Sequence, residues 1–493
     1  MVVLIRFVHN NYPAELFYRL IRIYSETGLA MFEALTKAFA DDGLTMAMKS
    51  RLFGFGSDGA KSMRTDDKGL LGRLKRWVTH DKKIISFHCL AHKLQLSVSN
   101  SLRNTPTLEY IDDHIQNINS IFSRSPKRKN AILLLAETRN KKFLELKKIF
   151  DVRWSSSYLE VLKSYLEDYI LLHELFEQME GDKEFDKETR AKATCYLKTF
   201  SSIYFYATLS FLADIFTVLG KYSKIFQYKA SVIVGINELV ESLTSELGNL
   251  KQNDGPYMIK FETTLYCQTL TSHRICRKKE IYGDSTEVVR MYLKIPPNEY
   301  KADFATDLKG RVLSQNRLPR REARQENLLA MFCPIGDAFD GTVRTRLIDK
   351  LVAEIMGYFP KSDAEMADVL LPKKIPENAN EIIGYANGIR KFATAFGYDE
   401  LLATKEFADL LREILPDRCR FLNMQNKPQR YWKHILDSYQ SGKEIRKIIH
   451  HILSIPSNSA SAERAFSTTF FIRQKRTSSL TPARIDKKMR CVF

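Results

Sequence analysis

Strand-like sequence is confined to about the first ninety residues of this chain, and the roughly four hundred that follow carry almost none. A chain with that asymmetry folds as a small α/β layer joined to a much larger helical body. Val2-Val3-Leu4-Ile5-Arg6-Phe7-Val8 is short and β-branched, and it is bounded by the polar turn His9-Asn10-Asn11-Tyr12-Pro13, so it reads as a strand. Glu15 to Ile23 reads as its antiparallel partner. Ala30, Ala34, Leu35 and Ala38 have helical spacing, closed by Asp41-Asp42-Gly43. Arg51 to Ala60 reads as a short core strand running into a glycine turn. A basic amphipathic helix follows at Leu70, Leu71, Leu74 and Trp77, then a strand at Ile84 to Phe87 and a helix through Leu90, Leu94, Val98 and Leu102.

From about residue 108 the pattern becomes helical. Leu162, Tyr165, Leu166, Tyr169, Ile170, His173 and Phe176 form one stripe, and Ile236, Leu239, Val240, Leu243, Leu247 and Leu250 form another. The expected division is an α/β part over 1–157, an all-helical region over 158–435, and a C-terminal segment over 436–493. The helical region is interrupted by a polar, Arg-rich loop at Lys309 to Gln325 and a Pro-rich joint at Leu371 to Pro376. No repeat of fixed period is visible, which disfavours a solenoid.

Charge narrows the class of partner. Lys plus Arg number 76 against 58 for Asp plus Glu, a net charge of +18 with a pI near 9.4, which suits a polyanion such as nucleic acid. Hydrophobic residues at 44% and charged residues at 27% disfavour wholesale disorder or a membrane bundle. Seven widely spaced cysteines without a CxxC pair point to free thiols in a reducing compartment. The longest apolar stretch, Tyr204 to Leu219, is broken by Asp214, and Met1 to Arg6 lacks a signal-peptide pattern. A cytosolic or nuclear protein with no membrane partner is expected.

Several residues could carry chemistry. Asp58 follows an apolar strand and precedes Gly59, which places a carboxylate at the C-terminal edge of a sheet, where open α/β sheets bind ligands. The competing reading, which local sequence favours, is an Asx-type turn residue satisfying nearby backbone N–H groups. Glu463 falls in the first turns of the last apolar helix, as a partner for Asp58 or simply for the helix dipole. Two such carboxylates can hold Mg²⁺ or Mn²⁺ for phosphoryl transfer. His88, Cys89 and His92 are the most metal-like cluster, but no second half-site completes a zinc set, and a half-buried Cys beside a hydrogen-bonded His is the competing reading. Arg153-Trp154 follows a basic stretch that includes Lys127, Arg128 and Lys129. Trp and Arg can stack on a base and grip phosphate, or serve as a core anchor beside one solvated helix face.

The order of these motifs is more informative than any one of them. Phe55-Gly56-Ser57-Asp58-Gly59-Ala60-Lys61-Ser62-Met63, then His88-Cys89-Leu90-Ala91-His92-Lys93-Leu94, then Arg153-Trp154-Ser155, and finally Ile455 to Ser467 (IPSNSASAERAFS) together resemble the hAT superfamily of DNA transposases and their domesticated descendants. The last motif is the most specific and resembles the family's C-terminal dimerisation signature.

The resemblance implies an RNase H-like core interrupted by a large all-helical insertion, with the C-terminal segment returning to complete it. It implies that Asp58 and Glu463 match the second and third metal-holding acids of cut-and-paste cleavage. Cys89 and His92 match a CxxH motif supporting the active site, and Trp154 matches a tryptophan that stacks on a flipped base. Arg153, Lys127, Arg128 and Lys129 are the accompanying DNA-binding candidates, and Phe466, Phe470 and Phe471, with Tyr431-Trp432 nearby, are the dimerisation candidates. The family's first catalytic Asp ends a strand that precedes the first strand here, and residues 1–14 contain no Asp or Glu. No N-terminal Cys/His finger is present either.

The expectation is therefore a transposase-derived nuclear protein lacking the first strand and first Asp of the core. It dimerises and binds DNA, takes no small-molecule substrate, and has lost cleavage. The alternatives are an active transposase from an incomplete gene model and a host protein-interaction scaffold.

Overall fold

The computed structural model describes residues 1–79, 84–103, 105–123, 125–146, 155–200, 203–228, 233–260, 344–359, 364–424, 426–474 and 482–490. The described chain is mostly helical with small sheets, and all four of its strands precede residue 89. It forms two compact units. One comprises Met1–Leu94, Lys224–Glu241 and Tyr358–Phe493, and the other Gln95–Ser223 and Ser242–Gly357. This division differs from the boundaries 1–157, 158–435 and 436–493. Residues 358–435, helical by pattern, belong with the strands because their helices pack on the hairpin and on the C-terminal helices. A periodic stripe shows that a face is buried, not what buries it.

In the first unit, β1 (Val2–His9) and β2 (Tyr12–Leu20) make an antiparallel hairpin. Asn10 and Asn11 turn it with φ of 48° and 58°. A two-residue loop with both φ positive matches the right-handed strand twist, and Asn tolerates that backbone better than most residues. The return strand begins three residues earlier than its pattern suggests, with Pro13 opposite Val8 near the turn. Alternation sends Val3, Ile5, Tyr18 and Ile21 into a core with Met31, Leu35 and Phe39 of α1 (Gly28–Asp41). Val2, Phe17 and Leu20 face Ala465, Ile485 and Met489 instead. Both faces of the hairpin are therefore packed around Val2 to Ile5 and Phe17 to Ile21, which accounts for the run of apolar residues there, while Phe7 and Leu16 stay exposed.

A short helix, α2 (Thr45–Arg51), takes the place of the strand start expected at Arg51. β3 (Gly54–Ser57) leads through a loop and α3 (Lys61–Arg64) to α4 (Leu70–Trp77), and β4 (Ile85–His88) leads into α5 (Leu90–Leu102). β3 and β4 pair in parallel, from Gly54 opposite Ile85 to Ser57 opposite His88. Phe55, Leu70, Leu71, Leu74 and Ile84 join the same core as Val3 and Ile5. The described strands nevertheless form two separate two-stranded ladders and not one continuous sheet.

The C-terminal helices close this unit from residues far along the chain. Arg6 and Glu15, opposite one another in the hairpin, form a 3.0 Å ion pair whose side chains are 6% and 8% exposed. Arg6 Nη2 also donates to the Leu453 carbonyl at 3.3 Å, and the Ser461 hydroxyl donates to Glu15 Oε2. Tyr431 and Trp432, expected to support a dimer surface, lie in the interior at 2% and 0% exposure. Trp432 Nε1 donates to the Leu370 carbonyl at 2.6 Å.

In the second unit the stripe through Tyr165 and Phe176 is carried by two helices, Ser155–Glu167 and Tyr169–Gly181, that meet at Asp168. Its core is aromatic: Tyr169 stacks on Tyr206 at 4.1 Å and Tyr158 on Phe216 at 4.3 Å. Asp214, the break in the apolar stretch, accepts from the backbone N–H groups of Tyr257 and Met258 at 2.9 and 3.0 Å. The first N–H groups of a helical turn have no intrahelical acceptor, and this buried carboxylate supplies one, so its place in an apolar helix has a structural cause. The Lys309 to Gln325 loop lies outside the described residues. No described helix is long and apolar enough to cross a membrane.

Candidate functional site

Parallel pairing puts the ends of β3 and β4 at one edge, so the loop after Ser57 and the start of α5 emerge side by side. The Cys89 N–H donates to the Ser57 carbonyl at 2.9 Å. Gly59, with φ of 89°, lies against the His88 ring; a Cβ there would stand 2.3 Å from His88 Nε2. Only glycine satisfies both the positive φ and the missing space. The Gly-Ser-Asp-Gly sequence thus makes sense as a turn that must pass under a histidine.

The C-terminal motif is built onto this edge. Pro456 packs against Gly54 and Gly56, where added Cβ atoms would stand 3.0 and 3.1 Å from its ring. The Leu90 N–H donates to the Ser457 carbonyl at 3.2 Å. Asn458 Oδ1 accepts from the Ala460 N–H at 3.0 Å at the start of the helix Ala460–Gln474, while its Nδ2 donates to the Tyr228 carbonyl at 3.1 Å. The Ser459 hydroxyl donates to Glu463 Oε1 at 2.9 Å. The motif is therefore read almost residue by residue as packing and capping, with Glu463 held at the strand ends as a result.

Asp58, Cys89, His92 and Glu463 come together here, along with His88. Asp58 Oδ1 accepts from the Ala60 N–H at 3.1 Å, the geometry of the Asx-turn reading. Burial raises the Glu463 pKa above the ordinary carboxyl value, and repulsion from Asp58 adds to the rise. The two acids therefore feel each other, although 405 residues separate them in sequence (463 − 58). Burial raises the Cys89 thiol, opposed by its hydrogen bond with Ser459, so Cys89 latches the C-terminal motif as an inert buried thiol. The His88 and His92 rings lie 5.4 Å apart. Burial first, then His92, Arg64 and Lys93, push His88 down to about 4, so it is neutral at pH 7. Burial also lowers His92, against the pull of Asp58.

The donor set does not fit the metal arrangement that the resemblance implies. Among the described residues no three His, Cys, Asp or Glu side chains are grouped so as to hold a metal ion. Asp58 and Glu463 amount to two carboxylates, one of them already engaged by Ser459.

The remaining candidates lie elsewhere or beyond description. Lys127, Arg128 and Lys129 open the helix Pro126–Thr138, and each meets an acidic residue. Lys127 pairs with Glu184 at 3.4 Å, Arg128 approaches Asp186 at 3.9 Å and bonds Thr189 at 2.7 Å, and Lys129 pairs with Glu145 at 2.8 Å. This face carries both signs. Arg153 and Trp154 lie outside the described residues, as do the side chains of Phe470 and Phe471. Phe466 is 59% exposed on the C-terminal motif helix. Sequence reasoning leaves out Arg64 and Lys93; a basic residue in the first helical turn after each parallel strand is the available signal. No family model matches the chain.

Proposed function

We propose that the chain is a transposase-derived protein of hAT type that self-associates, binds DNA in the nucleus, and no longer cleaves it. The observation that carries this reading is the convergence of three distant motifs, at Asp58, at His88 to His92 and at Ile455 to Ser467, on the ends of one parallel strand pair. The hairpin, the parallel pair and their shared core with α1 and α4 support an RNase H-like ancestry. The charge of +18 supports a DNA partner. The reading that cleavage is lost rests on the donor set at this edge: among the described residues no three His, Cys, Asp or Glu side chains are grouped to hold a metal ion, and Glu463 is engaged by Ser459; a metal unit short of one member loses orders of magnitude in rate.

Self-association is assigned to the exposed face of the helix Ala460–Gln474 around Phe466. Truncation after Ser454 is a poor test, because it would also remove Ile455, Ser457 and Ala465, all 0% exposed. The exposed position is cleaner. Phe466→Lys is expected to reduce the solution mass from oligomer to monomer at unchanged thermal stability, and an unchanged mass sinks this assignment. For the chemistry, a terminal-inverted-repeat duplex incubated with Mg²⁺ or Mn²⁺ is expected to stay intact with the unmodified chain and with Glu463→Gln alike. Cleavage that Glu463→Gln abolishes overturns the inactive reading.

A further inference from the structure

We propose that Arg64 and Lys93 form a clamp for one DNA phosphate beside Asp58. The clamp rests on the DNA-binding reading above and deepens it by naming the groups that hold the backbone. The fold places both residues at the same edge. Arg64 closes α3, its N–H bonded to the Ala60 carbonyl at 3.2 Å, one turn beyond the Asp58 loop. Lys93 lies in the first turn of α5, its N–H bonded to the Cys89 carbonyl at 2.9 Å. The contact of Gly59 with the His88 ring locks the two loops together.

Both cations are half-buried, and among the described residues neither is ion-paired with a carboxylate. Asp66, the acid whose field reaches Arg64, is itself bonded to Lys75 at 2.7 Å. The Lys93 ammonium lies 5.5 Å from the centre of the Phe359 ring, which restricts where it can point. Burial lowers the pKa of Lys93, and the Arg64 charge lowers it further. The same two causes act on His88, whose Nε2 is buried without a hydrogen-bond partner. Partly desolvated like charges held together are unfavourable until an anion arrives, and a planar guanidinium beside a point ammonium suits a phosphate oxygen pair. The basic residues of the helix Pro126–Thr138 are already matched by Glu184, Asp186 and Glu145, so they lack this feature. The site opens at the exposed Asp58 and Ala60, as access for a polymer requires.

The test compares the full chain with the double variant Arg64→Gln, Lys93→Gln, using two probes. The first is a fluorescein-labelled duplex of about 20 base pairs titrated at stepped KCl concentrations, and the second is sodium tripolyphosphate in a thermal-shift assay. The clamp predicts that the variant binds duplex about tenfold or more weakly, with a log–log salt slope shallower by about one. It also predicts that tripolyphosphate raises the melting temperature of the unmodified chain and not that of the variant. Without anion the variant is expected to melt no lower than the unmodified chain, because two mutually repelling charges are gone. Unchanged duplex affinity and slope with the tripolyphosphate shift retained overturn the clamp and leave the DNA reading standing. A tripolyphosphate shift lost in the variant, with no duplex binding by the unmodified chain, keeps the anion site and overturns the DNA reading. If neither probe engages the unmodified chain, both are overturned.

Discussion

Trp432→Ala is expected to destabilise the protein by about 4 kcal/mol or more. The indole is fully buried, lies 6.1 Å from the Phe407 ring and 5.4 Å from that of Tyr431, and donates to the Leu370 carbonyl at 2.6 Å. Alanine leaves both a large void and a buried carbonyl without its donor, and the second loss adds about 1–3 kcal/mol to the first. Trp432→Phe keeps most of the volume and loses only the donor, so it is expected to cost about 1–3 kcal/mol. Urea denaturation separates the two. Solution mass is expected to be the same for both variants under folded conditions, because this aromatic pair is interior and not an oligomer surface. A variant that folds as stably as the unmodified chain but changes its mass reverses that assignment.

The second large effect is on pH dependence. Asp168 and Asp214 are 4% and 2% exposed. Burial first, then a neighbouring acid, raises Asp168 to about 7 and Asp214 to about 6; the neighbours are Glu167 and Asp254, opposed by Lys141 and Arg344. Backbone N–H groups pull the other way: Leu144 on Asp168, and Tyr257 and Met258 on Asp214. In each case the folded chain holds a proton that the unfolded chain has already released above the ordinary value of 3.8. Their contribution is therefore full below about pH 4 and is lost as pH rises through about 6 to 7, at on the order of 3 kcal/mol for each group.

Asp168→Asn keeps an acceptor for the Leu144 N–H without the charge. It is expected to raise the melting temperature at pH 8 and to flatten its fall between pH 5 and 8. Asp214→Asn is expected to fail as a rescue, because both carboxylate oxygens accept backbone N–H groups and an amide has only one acceptor. An Asp168→Asn profile parallel to that of the unmodified chain would falsify this account.

Much of the fold is legible in the sequence because its causes are local. The β-branched run from Val2, the Asn10-Asn11 turn, the four-residue spacing from Leu90 and the stripe through Ile236 each announce an element through neighbours within a dozen residues. The break at Asp168 is less legible, since the stripe continues across two helices. The pattern misses the start of β2 because Pro13 usually ends a strand, and here it is accommodated at the hairpin end.

The site is legible in its residue types and illegible in its arrangement. Asp58, Cys89, His92 and Glu463 are each open to a bland reading, and for three of them that reading describes part of what the side chain does: Asp58 makes an Asx turn, Cys89 latches Ser459, and Glu463 accepts from the Ser459 hydroxyl. Their meeting depends on Pro456 fitting over Gly54 and Gly56, a contact across about 400 residues of chain that no local pattern encodes. The same holds for Tyr431 and Trp432, whose aromatic character is equally compatible with a surface and with a core, and for Lys127 to Lys129, whose charge is matched by acids from elsewhere in the chain. Periodicity and turn chemistry act over one or two turns of backbone, so the sequence is sufficient for the α/β beginning, the helical remainder and the basic charge. Burial and electrostatics act through space, so the mutual repulsion of Arg64 and Lys93, and the interior place of Trp432, emerge only from the folded chain.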